Sequence, residues 1–200
     1  MKRFYIENSK AINKLVLYQF GAAFLGILMY SAAGSVAWLN LATGVFAILF
    51  YMYLIYGAVW DEGARDRIKV DGGRLSVDMW KGVKIAFFAN IPNLIIGVVH
   101  FIFTTVSVLA QAEWAGNIAF VANAIGVIWE GMYNGIITSI FPRVIGGQYV
   151  DLTTLQTILR SFSFIVIVLP ALLTCNVAYR LGYSGVAVFK PTAKDTEKKK

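Results

Sequence analysis

A chain of 200 residues that is 58% hydrophobic and only 14% charged is too apolar for an ordinary soluble domain, which carries about 45–50% apolar and about 25% charged residues. The net charge of +7 does not point to nucleic acid here, because the basic residues flank long apolar runs, as they do where membrane proteins meet anionic headgroups. A single cysteine, Cys175, excludes an internal disulfide and any cysteine-based zinc site, so neither metal nor cofactor is expected.

Lys2, Arg3, Lys10 and Lys14 precede the first apolar run, about Leu15 to Val36. The small residues from Ser31 to Ala37 loosely mimic a signal-peptide cleavage site. The run is long, however, and a second follows at once, from about Leu39 to Val59, so a retained first span is expected. A third run covers about Val83 to Leu109, a fourth about Ile118 to Phe141, and a fifth about Phe162 to Leu181. Each is near the roughly 20 residues that a crossing helix needs, and isolated strands cannot cross at all. The expectation is an all-α, polytopic integral membrane protein with about five transmembrane helices. They form a single domain over 1–189, followed by a disordered basic tail, 190–200.

The connections differ in kind. Ser31 to Asn40 and Gln111 to Asn117 are short, so each joins neighbouring antiparallel helices. Asp61 to Lys84 is long and charged. Within it, Ile68 to Val70 and Leu75 to Val77 alternate around Asp71, Gly72 and Gly73, which predicts a short β-hairpin. Pro142 to Arg160 is mixed. Gly146 and Gly147 act as a breaker, and Asp151 is placed to cap an interfacial helix running to Phe162. Trp38 and Trp114 at one end, with Tyr56, Trp60 and Trp80 at the other, form aromatic belts.

Orientation follows the lysine and arginine distribution. The N-terminus carries four, the Asp61–Lys84 loop six, the segment from Arg180 onward six, and the Pro142–Arg160 connection two. The N-terminus and loop 61–82 are therefore expected to be cytoplasmic at the cell membrane. Five crossings would put the lysine tail outside, against the same rule. An even number requires one re-entrant segment or a sixth crossing, and the side of the tail stays open.

Trp60 to Arg74, Lys81 to Asn93 and Tyr179 to Gly185 together resemble a group of small, uncharacterised multi-pass membrane proteins of Gram-positive bacteria. The resemblance covers about a quarter of the chain. It implies a membrane location and no activity.

Two polar stripes carry the functional signal. In the third run, Ala89, Asn93, His100, Thr104, Ser107 and Gln111 share a helical face, opposite Ile91, Ile95, Val98, Ile102 and Leu109. Pro92 is expected to kink this helix. In the fourth run, Ala119, Asn123, Gly126, Glu130 and Asn134 share a face, opposite Val121, Ile125, Ile128, Met132 and Ile136. Gly131 and Gly135 make a Gly-x-x-x-Gly pair suited to close helix contact. His100 lies about 13 residues before the centre of the connecting loop and Glu130 about 17 after it, so their depths differ by about 5 Å, close enough for them to pair directly or through a water. The candidate site is His100, Glu130, Asn93, Thr104, Asn123 and Asn134. A charge near the bilayer centre costs on the order of 3 kcal/mol or more. The pair therefore reads as packing between helices, as a polar cavity that binds a solute or relays protons, or as a subunit interface.

These readings give two classes of function. One is transport-related: a small permease, a channel-like protein or a membrane subunit of a transporter. The other is a non-enzymatic scaffold or partner subunit, contacting another protein or a second copy through the charged loop and basic tail. An enzyme is not expected. One histidine cannot make a paired-histidine metalloprotease, one deep carboxylate cannot make an aspartyl pair, and no nucleophile motif surrounds Ser107 or Ser139.

Overall fold

The computed structural model describes residues 2–34, 36–74, 76–142, 144–145 and 148–186. The basic tail and the Gly146–Gly147 breaker lie outside the described residues. Helix α1 spans Lys2–Ala33 and α2 Ala37–Asp71, antiparallel across a turn in which Gly34 takes φ +59°. Then come α3 (Lys81–Ala89), α4 (Ile91–Ala110) and α5 (Glu113–Trp129). A single 3₁₀ turn at Gly131–Tyr133 leads into α6 (Asn134–Ile140). Strands β1 (Val144–Ile145) and β2 (Gln148–Tyr149) pair antiparallel, and α7 (Thr154–Val166) and α8 (Val168–Ser184) close the described chain.

Four stretches are long and apolar enough to cross a membrane: Arg3–Ala33, Ala37–Asp71, Ile91–Ala110 and Thr154–Ser184. The fifth expected span, in the fourth apolar run, is not one continuous helix but is broken at Glu130. Neighbouring residues trace its path. Helix α5 descends antiparallel to α4, with Trp114 on Phe103, His100 on the Ala119 carbonyl, and Trp129 bonded to Asn93. The chain then reverses. Gly131 sits against the Ala23 carbonyl of α1 and Met132 against Gly26, while Gly135 packs on Gly44 and the Asn40 carbonyl of α2. Since α2 begins at Ala37, α6 climbs back to the end of the bundle where α5 started.

Helices α7 and α8 form the last long stretch, bent at Ile167. It runs antiparallel to α4, where Gly97 meets the Phe164 backbone, and parallel to α2, where Thr174 bonds Met52 and Gly182 meets the Trp60 carbonyl. The interfacial helix expected from Asp151 is thus the start of this stretch, packed on α4. Its cap is Thr153, whose hydroxyl accepts from the Gln156 amide at 3.3 Å while the Gln156 side chain accepts from the Thr153 amide at 3.0 Å.

The expected hairpin at Ile68–Val77 is absent among the described residues, because α2 continues through Asp71. Charges three and four residues apart suit a helix there: Arg65 pairs with Glu62, Lys69 with Asp66 and Arg67 with Asp71. Gly72 and Gly73, the latter at φ +68°, end the helix instead. At 35 residues, α2 is about 52 Å long. It therefore exceeds a hydrocarbon core of about 30 Å, and its last turns project beyond the apolar stretch. The strand pair falls between α6 and α7, in register Val144 to Tyr149. The kink expected at Pro92 is a break at Asn90, with Pro92 in the first turn of α4, where its missing N–H costs nothing.

One polar knot ties the projecting end together. Asp66 of α2 is fully buried and accepts from Lys81 Nζ of α3 at 2.5 Å, the Tyr179 hydroxyl of α8 at 2.9 Å and Lys69 Nζ at 3.1 Å. Burial opposes its ionisation. The hydrogen bonds from Lys81, Tyr179 and Lys69, with the Lys81 charge, offset that cost.

The returning segment depends on close glycine contacts. A Cβ on Gly135 would strike the Asn40 carbonyl, whereas one on Gly57 of α2 meets nothing within 4 Å. Gly135→Ala is therefore expected to destabilise the detergent-solubilised protein by about 1–3 kcal/mol, read as a lower midpoint of thermal unfolding, while Gly57→Ala leaves it unchanged or slightly higher.

Candidate functional site

Most of each stripe faces inward, although Gln111 is exposed and Ser107 and Asn123 are half-buried. Asn93, His100 and Thr104 on α4, and Ala119, Gly126 and Glu130 from α5 onward, are buried, while Ile95, Val98, Ile102, Val121, Ile125 and Ile128 are exposed. The correspondence ends where α5 ends. Beyond Glu130 the backbone reverses, so Met132, on the expected outer face, is buried.

His100 and Glu130 are not brought together. The link between α4 and α5 is only Gln111–Ala112, with Gln111 in the left-handed region at φ 50°. The hairpin centre therefore sits between Gln111 and Ala112, about two residues earlier than the loop composition suggests. That shift places His100 level with Ala119, and Glu130 beyond Trp129, which is level with Asn93. Glu130 therefore lies roughly 10–16 Å deeper than His100, since seven residues separate His100 from Asn93 on α4 and 11 separate Ala119 from Glu130.

His100 belongs to a satisfied group nearer the α4–α5 turn. Its Nδ1 lies 3.2 Å from the Ala119 carbonyl and 3.2 Å from Thr104 Oγ1, and its ring stands edge-on to Phe164 at 5.1 Å. A carbonyl only accepts, so Nδ1 carries the proton and donates it across the α4–α5 seam. This is packing of two helices by a polar bond.

Glu130 belongs to a deeper group. It follows the last residue of α5 and is fully buried. Neither carboxylate oxygen has a hydrogen-bond partner among the described residues. Polar residues at its depth come from four elements. Tyr51 of α2 and Tyr133 of the 3₁₀ turn lie within its electrostatic reach. The Tyr51 hydroxyl shares a hydrogen bond with Asn90. Asn93 Nδ2 donates to Asn90 Oδ1 at 3.0 Å, and Trp129 Nε1 donates to Asn93 Oδ1 at 2.6 Å. On α1, Gln19 is 1% exposed, and both its polar atoms are likewise without a partner. The next residue, Phe20, packs edge-on against Trp129 at 5.8 Å. Asn134 turns back to donate to the Val127 carbonyl at 2.9 Å, satisfying one group freed where α5 ends. Asn123 is half-buried between the two groups, with an unpartnered Oδ1.

Of the six expected site residues, Asn93, Glu130 and Asn134 thus belong to the deep layer and His100 and Thr104 to the shallow one. Gln19, Tyr51, Asn90, Trp129 and Tyr133 were missed by the stripe pattern. An isolated amide in an apolar run, as at Gln19, was the available signal. The arrangement offers a buried carboxyl group, several neutral polar groups and the C-terminal end of α5, whose partial negative charge favours a cation. No group of three or more histidine, cysteine or acidic residues that could hold a metal occurs among the described residues. No family model, curated protein or solved structure matches the chain.

Because the two groups are separate, His100→Asn and Glu130→Gln should act independently. Their effects on unfolding free energy in mixed detergent are expected to add within about 0.5 kcal/mol in the double variant. A coupling of 1 kcal/mol or more, on the order found for touching residues, would mean that the side chains meet.

Proposed function

We propose that this chain is a transport-related integral membrane protein whose working group is Glu130. Four stretches cross the membrane, and residues 113–141 re-enter from the face opposite the N-terminus. Among the described residues, every lysine and arginine except Arg160 lies on the N-terminal half of α1, the projecting end of α2 and its loop, the start of α3 or the end of α8. That asymmetry supports a cytoplasmic placement of the N-terminus and of loop 61–82 in the cell membrane.

The observation that carries the reading is the unpartnered Glu130 carboxyl at the turn of a broken segment. A purely structural carboxyl would be paired, and the expected partner, His100, is bonded to Ala119 and Thr104 instead. An unsatisfied buried polar group costs about 1–3 kcal/mol, which a proton or another cation arriving at the site recovers. Irregular backbone at membrane depth is tolerated where protein encloses it or a cavity is lined. Transporters place coupling ions at the ends of such half-helices.

The alternative, a non-enzymatic scaffold or partner subunit, draws support from a groove of about 410 Å³ between α4 and α5, lined by Ile95, Val99, Val121 and Ile125. A helix of another protein suits that apolar seam, and co-purification of a stoichiometric partner from native membranes favours it.

Reconstitution into liposomes with an internal pH-sensitive dye tests the transport reading. Under an imposed potassium diffusion potential, wild-type vesicles are expected to acidify faster than protein-free ones. Glu130→Gln falls to the protein-free rate and His100→Asn retains the wild-type rate. No flux in the wild type, or equal flux in Glu130→Gln, contradicts it.

A further inference from the structure

A second polar site lies at the cation-rich end of the bundle, away from Glu130. The first turns of α1 and the projecting turns of α2 enclose a cleft of about 500 Å³, with Lys81 of α3 at its side. Its size falls within the range of small-molecule sites. Four basic residues line it (Lys10, Arg65, Lys69 and Lys81), together with Glu7, Glu62 and Asp66.

The count alone is nearly balanced, but the arrangement is not. Each carboxylate is already committed. Asp66 is fully buried and answers two lysines at once, as well as Tyr179. Glu62, 19% exposed, takes Arg65, and Glu7 takes Arg3, which does not line the cleft. The cations stand forward of these acids. The Arg65 side chain is 66% exposed and that of Lys69 51%. Lys10 has no ion-pair partner among the described residues. Arginine and lysine heads held in front of spent carboxylates present donors and net positive charge, which suits a phosphate oxygen.

Depth selects the source of that phosphate. The apolar run of α1 begins near Leu15, so the wall from Ile6 to Ala11 stands one to two turns outside it. Trp60 and Trp80 mark the same level, and Trp80 carries Arg180 against its ring at 5.2 Å. Ile6 is 62% exposed at the rim, an apolar contact beside charged groups. A cleft at headgroup depth, with a basic interior and an apolar rim, matches an anionic lipid.

We propose that this cleft is a phosphate site occupied by the headgroup of an anionic phospholipid. Lys10, Arg65 and Lys69 grip the phosphodiester, and the Asp66 knot fixes the wall from behind. The site rests on no assumption about transport.

Thermal unfolding of the full chain in nanodiscs tests it, with phosphatidylcholine alone or mixed with phosphatidylglycerol. Phosphatidylglycerol is expected to raise the wild-type midpoint by roughly 3 °C and to lose that effect at high salt. Lys10→Gln combined with Lys69→Gln abolishes the rise, and Lys10→Arg with Lys69→Arg retains it. Asp66 keeps Lys81 and Tyr179 in these variants, so the knot survives. No rise in the wild type, or an equal rise in the glutamine variant, overturns the proposal. So does a rise that needs only inorganic phosphate added to phosphatidylcholine discs, which assigns the cleft to a soluble anion. The wild-type lipid and salt comparisons decide even if the glutamine variant does not fold.

Discussion

Backbone N–H and C=O groups cannot be left bare in hydrocarbon, and this constraint governs the fold around residues 113–141. A segment that breaks at Glu130 frees the last carbonyls of α5 and the first amides of the next turn. The break survives only if protein closes around it. Closure is achieved by glycine. Gly26 admits Met132, Gly131 admits the Ala23 carbonyl, and Gly44 and Gly135 lie back to back. Helices α1 and α2 can therefore approach the returning chain at backbone distance. Asn134 and the Tyr133 amide, which bonds the Glu130 carbonyl, complete the accounting. The enclosure also keeps the carboxyl of Glu130 within electrostatic reach of Tyr51 and Tyr133.

Turning one segment back also groups the charges of the described residues. The four long apolar stretches bring the start of α1, the end of α2, the start of α3 and the end of α8 to one end of the bundle. The Asp66 knot then has a topological role, since it clips three of those ends together outside the apolar stretch. The two ends of the molecule are correspondingly different. One is basic, projecting and tied by ion pairs. The other is made of tight links and the small strand pair.

Much of this was legible in the residues. Apolar runs gave the helices, because burying or lipidating such stretches requires internal hydrogen bonding. The stripe on α4 gave its buried face, because a period of 3.6 puts Asn93, His100 and Thr104 in line. The reversal at Glu130 was not legible, since Val121 to Ile136 keeps helical spacing straight through the break. Only the Gly131–Gly135 pair hinted at it, and that hint was read as contact between two straight helices. The misplaced His100–Glu130 pair has a local cause: Glu113 and Trp114 look like loop but begin α5, which moves the turn to Gln111. The hairpin expected at Ile68–Val77 failed because alternation over three residues is weak beside about three turns of complementary charge.

The central claim is that residues 113–141 enter and leave on one side. Single cysteines at Asn117, near the start of α5, and Ile140, at the end of α6, are both exposed positions, and the native Cys175 is fully buried. Labelling in intact cells with a membrane-impermeant maleimide measures their sides directly. The account predicts that both label without permeabilisation, while a cysteine at Ser9 labels only after it. Labelling of the two positions from opposite sides would contradict the account.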